Sequence, residues 1–171
     1  MIDDVLLAEA VHDSGVRRLQ HAYADVVNRR AWPEMSYLFR PDASVTLDLR
    51  TAVPIRLTGG PEVGEFIAGA IEGFEFFEFV ILNAHIAFPD GPAAGSAVSR
   101  LFMSEVRQDR ADGRWTTVYG LYHDRYAFHS GRWWFAERSY HSLARQARDL
   151  DAFPLPPDPG LHVPGVGPRP D

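Results

Sequence analysis

His85 stands in the run Asn83-Ala84-His85-Ile86-Ala87, a lone imidazole in an otherwise apolar segment of strand character. With an ordinary pKa near 6.5, an imidazole in a dry cavity can take a proton from carbon or oxygen and return it elsewhere. It can equally be a core histidine satisfied by one partner. Tyr122 and Asp124 share strand parity and so project to one face, while His123 and Arg125 project to the other. Arg138 lies on the next strand-like segment. Because a buried arginine is rarely left unpaired, an Asp124–Arg138 ion pair is expected, either as structure or as a clamp that lets Arg138 polarise a substrate oxygen. Tyr23 and Asn28 lie on the first helical segment, five residues and hence about 140° apart, so they form no single stripe. Tyr23 can donate a hydrogen bond to a carbonyl or a leaving hydroxyl, or simply pack. Arg100, between Val98 and Met103, is a second candidate cation that also fits an outward, solvated position.

Composition narrows the chemistry further. The seventeen basic residues are all arginine and there is no cysteine, which removes Schiff-base and phosphate-loop lysines, thiol nucleophiles, disulfides and thiolate metal sites. His123 and His129 share parity but stand about 20 Å apart on a strand, too far for one metal, and no other histidines show ligand spacing. There is no G-x-S-x-G nucleophile turn, and Gly59-Gly60-Pro61 lacks a phosphate-loop pattern. No metal and no cofactor is expected. A net charge of −6 disfavours nucleic acid and anionic membranes as partners. The amino terminus lacks the basic flank and apolar run of a signal peptide, and no apolar stretch approaches 18 residues, so a cytoplasmic protein is expected. Twenty-one aromatic residues among 171 leave enough to line a cavity as well as fill a core.

The elements that would position these groups follow from periodicity. Val16, Leu19, Tyr23, Val26 and Val27 predict a helix between Leu6 and Arg30, with Gly15 as a point of interruption. A short second helix follows from Trp32 to Phe39, ended by Arg40-Pro41-Asp42. Alternation predicts a strand over Ser44 to Arg50 and a neighbour over Val53 to Leu57, and then a helix from Gly59 to Gly73. Strands over Phe76 to Phe88, Ser96 to Gln108, Arg114 to Phe128 and Arg132 to Ser142 are separated by turn-forming linkers that suit antiparallel hairpins. Beyond Leu143 an amphipathic turn or two leads to a tail, and Phe153 to Asp171 holds seven of the thirteen prolines. The expected organisation is one domain over 1–145 and a proline-rich tail over 146–171, either extended or covering a cavity mouth. Helices followed by meandering strands form an α+β pattern, with a curved antiparallel sheet wrapped by the amino-terminal helices around a central pocket.

Two stretches, LQHAYADVVNRRAWPEMSYLFRPDASV and YGLYHDRYAFHSGRWWFAERSYHSL, make this layout resemble the SnoaL-like branch of the NTF2-like superfamily, which includes polyketide cyclases, scytalone-type dehydratases and bile-acid dehydratases. The resemblance implies a conical fold with a hydrophobic pocket. It also implies a histidine at the strand position of His85 as the acid/base residue, and an aspartate where Asn28 stands here to orient that histidine. An amide can neither hold a proton nor stabilise an imidazolium by charge, so Asn28 is a departure.

The expectation is therefore a cofactor-independent dehydratase or isomerase/cyclase acting on a small hydrophobic cyclic molecule. His85 would move the proton, Tyr23 and Asn28 would position the oxygen or the imidazole, and Arg138 backed by Asp124 would stabilise an enolate. Tyr122, Arg100, Phe102 and Trp134 would contact the substrate. The rival expectation is a non-catalytic ligand-binding or assembly module of the same fold. The resemblance also implies a homo-oligomer.

Overall fold

The computed structural model describes residues 3–146 and 150–157. Helix α1 (Asp4–Arg29) buries Val16, Leu19, Tyr23, Val26 and Val27, the apolar positions spaced three and four apart. Asp3 caps it by accepting a hydrogen bond from the Val5 N–H at 3.0 Å, and Arg30 ends it in the left-handed region. Gly15 does not interrupt the helix. A 3-10 turn (Trp32–Tyr37) leads into β1 (Phe39–Asp48), β2 (Ile55–Thr58) and α2 (Gly59–Ile71). Gly60 lets the start of α2 press against that turn: a Cβ there would overlap the Met35 backbone. The remaining strands are β3 (Phe74–Ala87), β4 (Ser96–Asp109), β5 (Trp115–His129), β6 (Arg132–Gln146) and β7 (Leu150–Ala152).

The strands form one sheet in the order β2-β1-β6-β5-β4-β3, with β7 also on β6. Every pairing is antiparallel except β1–β6, which is parallel. The segment Arg40-Pro41-Asp42 does not end a helix; it belongs to β1, at the register break between Phe39 and Ser44. Proline is tolerated there because it interrupts no regular ladder. Strand β6 likewise runs past Ser142 to Gln146, and β7 occupies the place expected for an amphipathic turn. The tail beyond residue 157 lies outside the described residues.

The sheet curls so that its concave face meets α1 and α2. Side chains at Val45, Phe79, Leu101, Met103, Tyr122, Tyr126, Phe135 and Tyr140 join those of α1 in one buried cluster. Among the register shifts of the sheet, three bear on which site residues face inward. Leu82 is an extra residue on β3 opposite the Met103–Phe102 step, and single extra residues on β6 fall near Ala136 and Leu143. Each shift reverses the parity of everything beyond it.

Candidate functional site

The cone encloses a cavity of about 530 Å³, within the range of small-molecule sites. Its floor carries Tyr23 from α1, Tyr122 from β5 and Arg138 from β6. Asp124 and Arg138 stand directly opposite in the β5–β6 register, and Arg138 donates Nε and Nη2 to the two carboxylate oxygens at 2.8 and 2.9 Å. The pair is fully desolvated, with side-chain exposures of 1% for Arg138 and 0% for Asp124. Tyr126 donates to Asp124 at 2.9 Å, and Gln20 donates to Tyr126 at 2.8 Å, so a further buried layer holds the carboxylate in place.

The guanidinium carbon of Arg138 lies 4.2, 4.0 and 4.2 Å from the ring centroids of Tyr23, Tyr122 and Phe135. This aromatic cage stabilises the cation through the negative faces of the rings. Burial would lower the Arg138 pKa, but Asp124 outweighs it and the group is held charged. Burial raises the Tyr23 and Tyr122 pKa values, so both phenols keep their protons. Nη1 of Arg138 has no hydrogen-bond partner among the described residues.

Higher on the wall, β4 continues its inward parity from Leu101 and Met103 to Glu105, Arg107 and Asp109. Glu105 and Arg107 approach once, at 3.5 Å. Burial raises the Glu105 pKa, and the nearby Arg107 and Arg145 only partly oppose this. Tyr140, the cross-strand neighbour of Tyr122, has its pKa pushed up to about 12, chiefly by burial and then by the Glu105 charge. Gly120 makes room for it, because a Cβ there would collide with the Tyr140 ring and the Met103 sulfur. The upper wall thus presents a carboxyl group able to exchange a proton and a phenol that stays protonated.

The structure brings Tyr23, Tyr122 and Arg138 together in the lining and places Asp124 behind them. It separates the other expected residues. His85 pairs with Arg100 across β3–β4, and Arg100 with His123 across β4–β5, on the convex face of the sheet. The reason is the extra residue Leu82: inward parity runs through Phe77, Phe79 and Ile81 and resumes at Ala84 and Ile86, which turns His85 outward. Phe102 shares that face. So does Trp134, whose indole donates to the His129 carbonyl at 3.2 Å and receives the Arg132 guanidinium over its ring at 3.5 Å. None of His85, Arg100, Phe102 and Trp134 lines the cavity.

Asn28 is corrected in a different way. It sits on the exposed side of α1 and accepts from the Phe79 N–H at 2.7 Å while donating to the Phe79 carbonyl at 2.9 Å. An amide supplies the donor and acceptor that a neighbouring peptide would, so Asn28 completes the free edge of β3; a carboxylate could not donate. The strand residue facing position 28 is therefore Phe79, not a histidine. Among the described residues no group of histidine and acidic side chains could hold a metal ion, and no helix is long and apolar enough to cross a membrane.

The model of the SnoaL-like domain matches residues 9–139. The chain belongs to the SnoaL-like domain family. Solved structures similar to this SnoaL-like protein include a scytalone dehydratase-like protein from Novosphingobium aromaticivorans, 18% identical, covering 85% of this chain and 93% of its own, with a TM-score of 0.71. A hexachlorocyclohexane dehydrochlorinase, LinA type 3 from Novosphingobium barchaimii, is 13% identical over 95% of this chain and 99% of its own, with a TM-score of 0.68. An NTF2-like superfamily protein from Salmonella enterica serovar Typhimurium is 14% identical over 78% and 92%, with a TM-score of 0.65. At these identities the likeness establishes the fold. Curated proteins yield no sequence match.

Glu105 and Tyr140 were not among the residues expected from the sequence. The parity rule that joins Tyr122 to Asp124, extended along Leu101, Met103, Glu105 and Arg107, carries the signal for Glu105. Nothing in the local sequence singles out Tyr140, whose role depends on the space left by Gly120 on another strand.

Proposed function

We propose that this SnoaL-like protein is a cofactor-independent acid/base enzyme, a dehydratase or isomerase/cyclase, that acts on a small hydrophobic cyclic molecule of the polyketide, steroid or aromatic kind, with Glu105 as the group that moves the proton. The observation that carries this reading is the Glu105 carboxyl, partly buried with 19% of its side chain exposed and raised in pKa, inside an aromatic cavity that also holds protonated phenols and a caged arginine. In the ionised state Glu105 takes a proton from a carbon next to a carbonyl. The C–H electron pair moves onto the carbonyl oxygen, where Tyr140, Tyr122 or Tyr23 donates a hydrogen bond and Arg138 contributes fixed positive charge. Returning the proton to a different carbon isomerises the substrate; delivering it to a β-hydroxyl expels water. Proton transfer of this kind contributes about 10²–10⁴ in rate.

The test is deuterium incorporation from D2O into a panel of cyclic ketones and β-hydroxyketones, followed by NMR. Glu105→Gln should reduce exchange by about 10²–10⁴, and exchange equal to that of the unmodified protein would sink the reading. The pairing of Asn28 with Phe79, where the resemblance implies a carboxylate and a histidine, favours a second reading as a ligand-binding module. Tight binding of ring compounds with no exchange in any of them would select it.

The same proposal includes self-association through the convex face, where Phe76 and Trp115 are exposed and meet at 5.4 Å beside exposed Tyr119. Sedimentation as a monomer at tens of micromolar would remove that part.

A further inference from the structure

The upper cavity wall holds more positive charge than its surroundings use. Arg107, Arg114 and Arg145 line it with Glu105 and Asp109, in a chain whose net charge is −6. Asp109 spends one carboxylate oxygen on the Ala111 N–H at 2.8 Å. Arg114 lies 3.8 Å from Asp112. Arg107 rests over the Phe74 ring at 5.2 Å and reaches Glu105 once, at 3.5 Å. Arg145 gives Nη2 to the Leu49 carbonyl. Nε of Arg107 faces Glu105 Oε2 at 3.5 Å without completing a hydrogen bond, and Nε of Arg145 is buried with no hydrogen-bond partner among the described residues.

An unpaired buried N–H is costly, and one on a cation more so, unless a ligand supplies the acceptor. The planar fork of a guanidinium matches a carboxylate in particular, whose two oxygens can take parallel N–H donors. Register places the two arginines on a common wall: Arg145 stands opposite Val118 on β5, and Thr116, two residues along on the same side, stands opposite Arg107. Below them the lining becomes apolar through Phe66, Ile67, Phe77 and Phe79.

We infer that the cavity takes a hydrophobic cyclic acid, with its carboxylate held by Arg107 and Arg145 and its rings against the aromatic wall. This deepens the proposed function by naming the substrate class of the same site, yet it concerns binding alone and does not depend on Glu105 moving a proton. A carboxylate at that end fixes the molecule lengthwise, leaving ring carbons beside Glu105 and any carbonyl at the far end toward Arg138.

The experiment is isothermal titration of the full chain with 2-naphthoate and with its neutral isostere 2-naphthamide, and the readout is the ratio of the two affinities, in which general damage to the cavity cancels. Preference for the acid by tenfold or more is expected. Arg107→Met and Arg145→Met should each reduce that ratio at least threefold, and the double variant should bring it to about one. Glu105→Gln should preserve or enlarge it while slowing deuterium exchange by about 10²–10⁴, which separates failure of the binding inference from failure of the catalytic reading. Equal binding of acid and amide, absence of acid binding, or a preference that survives both arginine substitutions would overturn the inference.

Discussion

Asp124 and Arg138 meet through two hydrogen bonds of 2.8 and 2.9 Å, whereas Glu105 and Arg107 touch at a single 3.5 Å approach in the same cone. The difference follows from placement. Directly opposed residues on neighbouring strands hold their Cβ atoms about 4.5–5.5 Å apart, close enough for a guanidinium fork to seat on a carboxylate. Residues two apart on one strand are separated by about 6.5–7 Å along it, and their side chains run side by side. The first pair consumes most of its polar capacity and becomes scaffold. The second leaves a carboxyl whose charge burial disfavours and, 3.5 Å from it, a buried Arg107 Nε–H that completes no hydrogen bond.

Breaking the scaffold pair should have the largest effect. Asp124→Ala strands Arg138 as a buried, uncompensated cation, and should cost about 3–5 kcal/mol in urea unfolding. Glu105→Gln should do the reverse, slowing deuterium exchange by about 10²–10⁴ while leaving the protein as stable as before or more so at neutral pH. The pH dependence sharpens this contrast. The folded-state pKa of Glu105 lies above its unfolded value, so between the two the folded state binds the extra proton and stability falls as pH rises. That loss begins near the ordinary glutamate pKa of about 4.3 and is complete above the raised one. Subtracting the urea stability profile of Glu105→Gln from that of the unmodified protein should isolate the slope, and a flat difference would contradict the assigned shift.

Smaller effects separate the edge of the sheet from its interior. Asn28→Asp keeps the acceptor for the Phe79 N–H but loses the donor to its carbonyl, and should cost about 0.5–1.5 kcal/mol in thermal or urea unfolding. It should not create a dehydratase-type dyad, because no imidazole faces it. His85→Ala should change exchange by less than about twofold and stability by less than about 1 kcal/mol, since the side chain lies on the convex face. A large loss of activity in His85→Ala would place the site on that face instead.

Much of the fold is legible in the linear pattern. The three-and-four spacing from Val16 to Val27 gives α1, and the turn-rich linkers after Phe88 and Gln108 divide the long strands, because these signals are local. The scaffold of the site is legible for the same reason: Tyr122 and Asp124 share parity without any intervening irregularity. The resemblance alone assigns His85 to the cavity; the structure turns it outward because Leu82 adds a residue to β3, and an extra residue in a strand is a property of how two strands pair rather than of one strand's composition. Asn28 reads as a missing catalytic carboxylate until its amide is seen joined to the Phe79 peptide, 51 residues away.

The sequence by itself determined the kinds of chemistry available. A chain without lysine or cysteine is limited to carboxylate, imidazole, phenol and guanidinium groups, and residue type alone fixes that. Its periodicities also determined an α+β layout of helices against meandering strands, since amphipathic segments must bury their apolar sides together. Tertiary structure alone decided which of those groups share a desolvated space. Burial raises the pKa of Glu105 against the pull of Arg107 and Arg145, and aromatic rings cage the Arg138 cation; both arise only where strands distant in sequence close on one cavity.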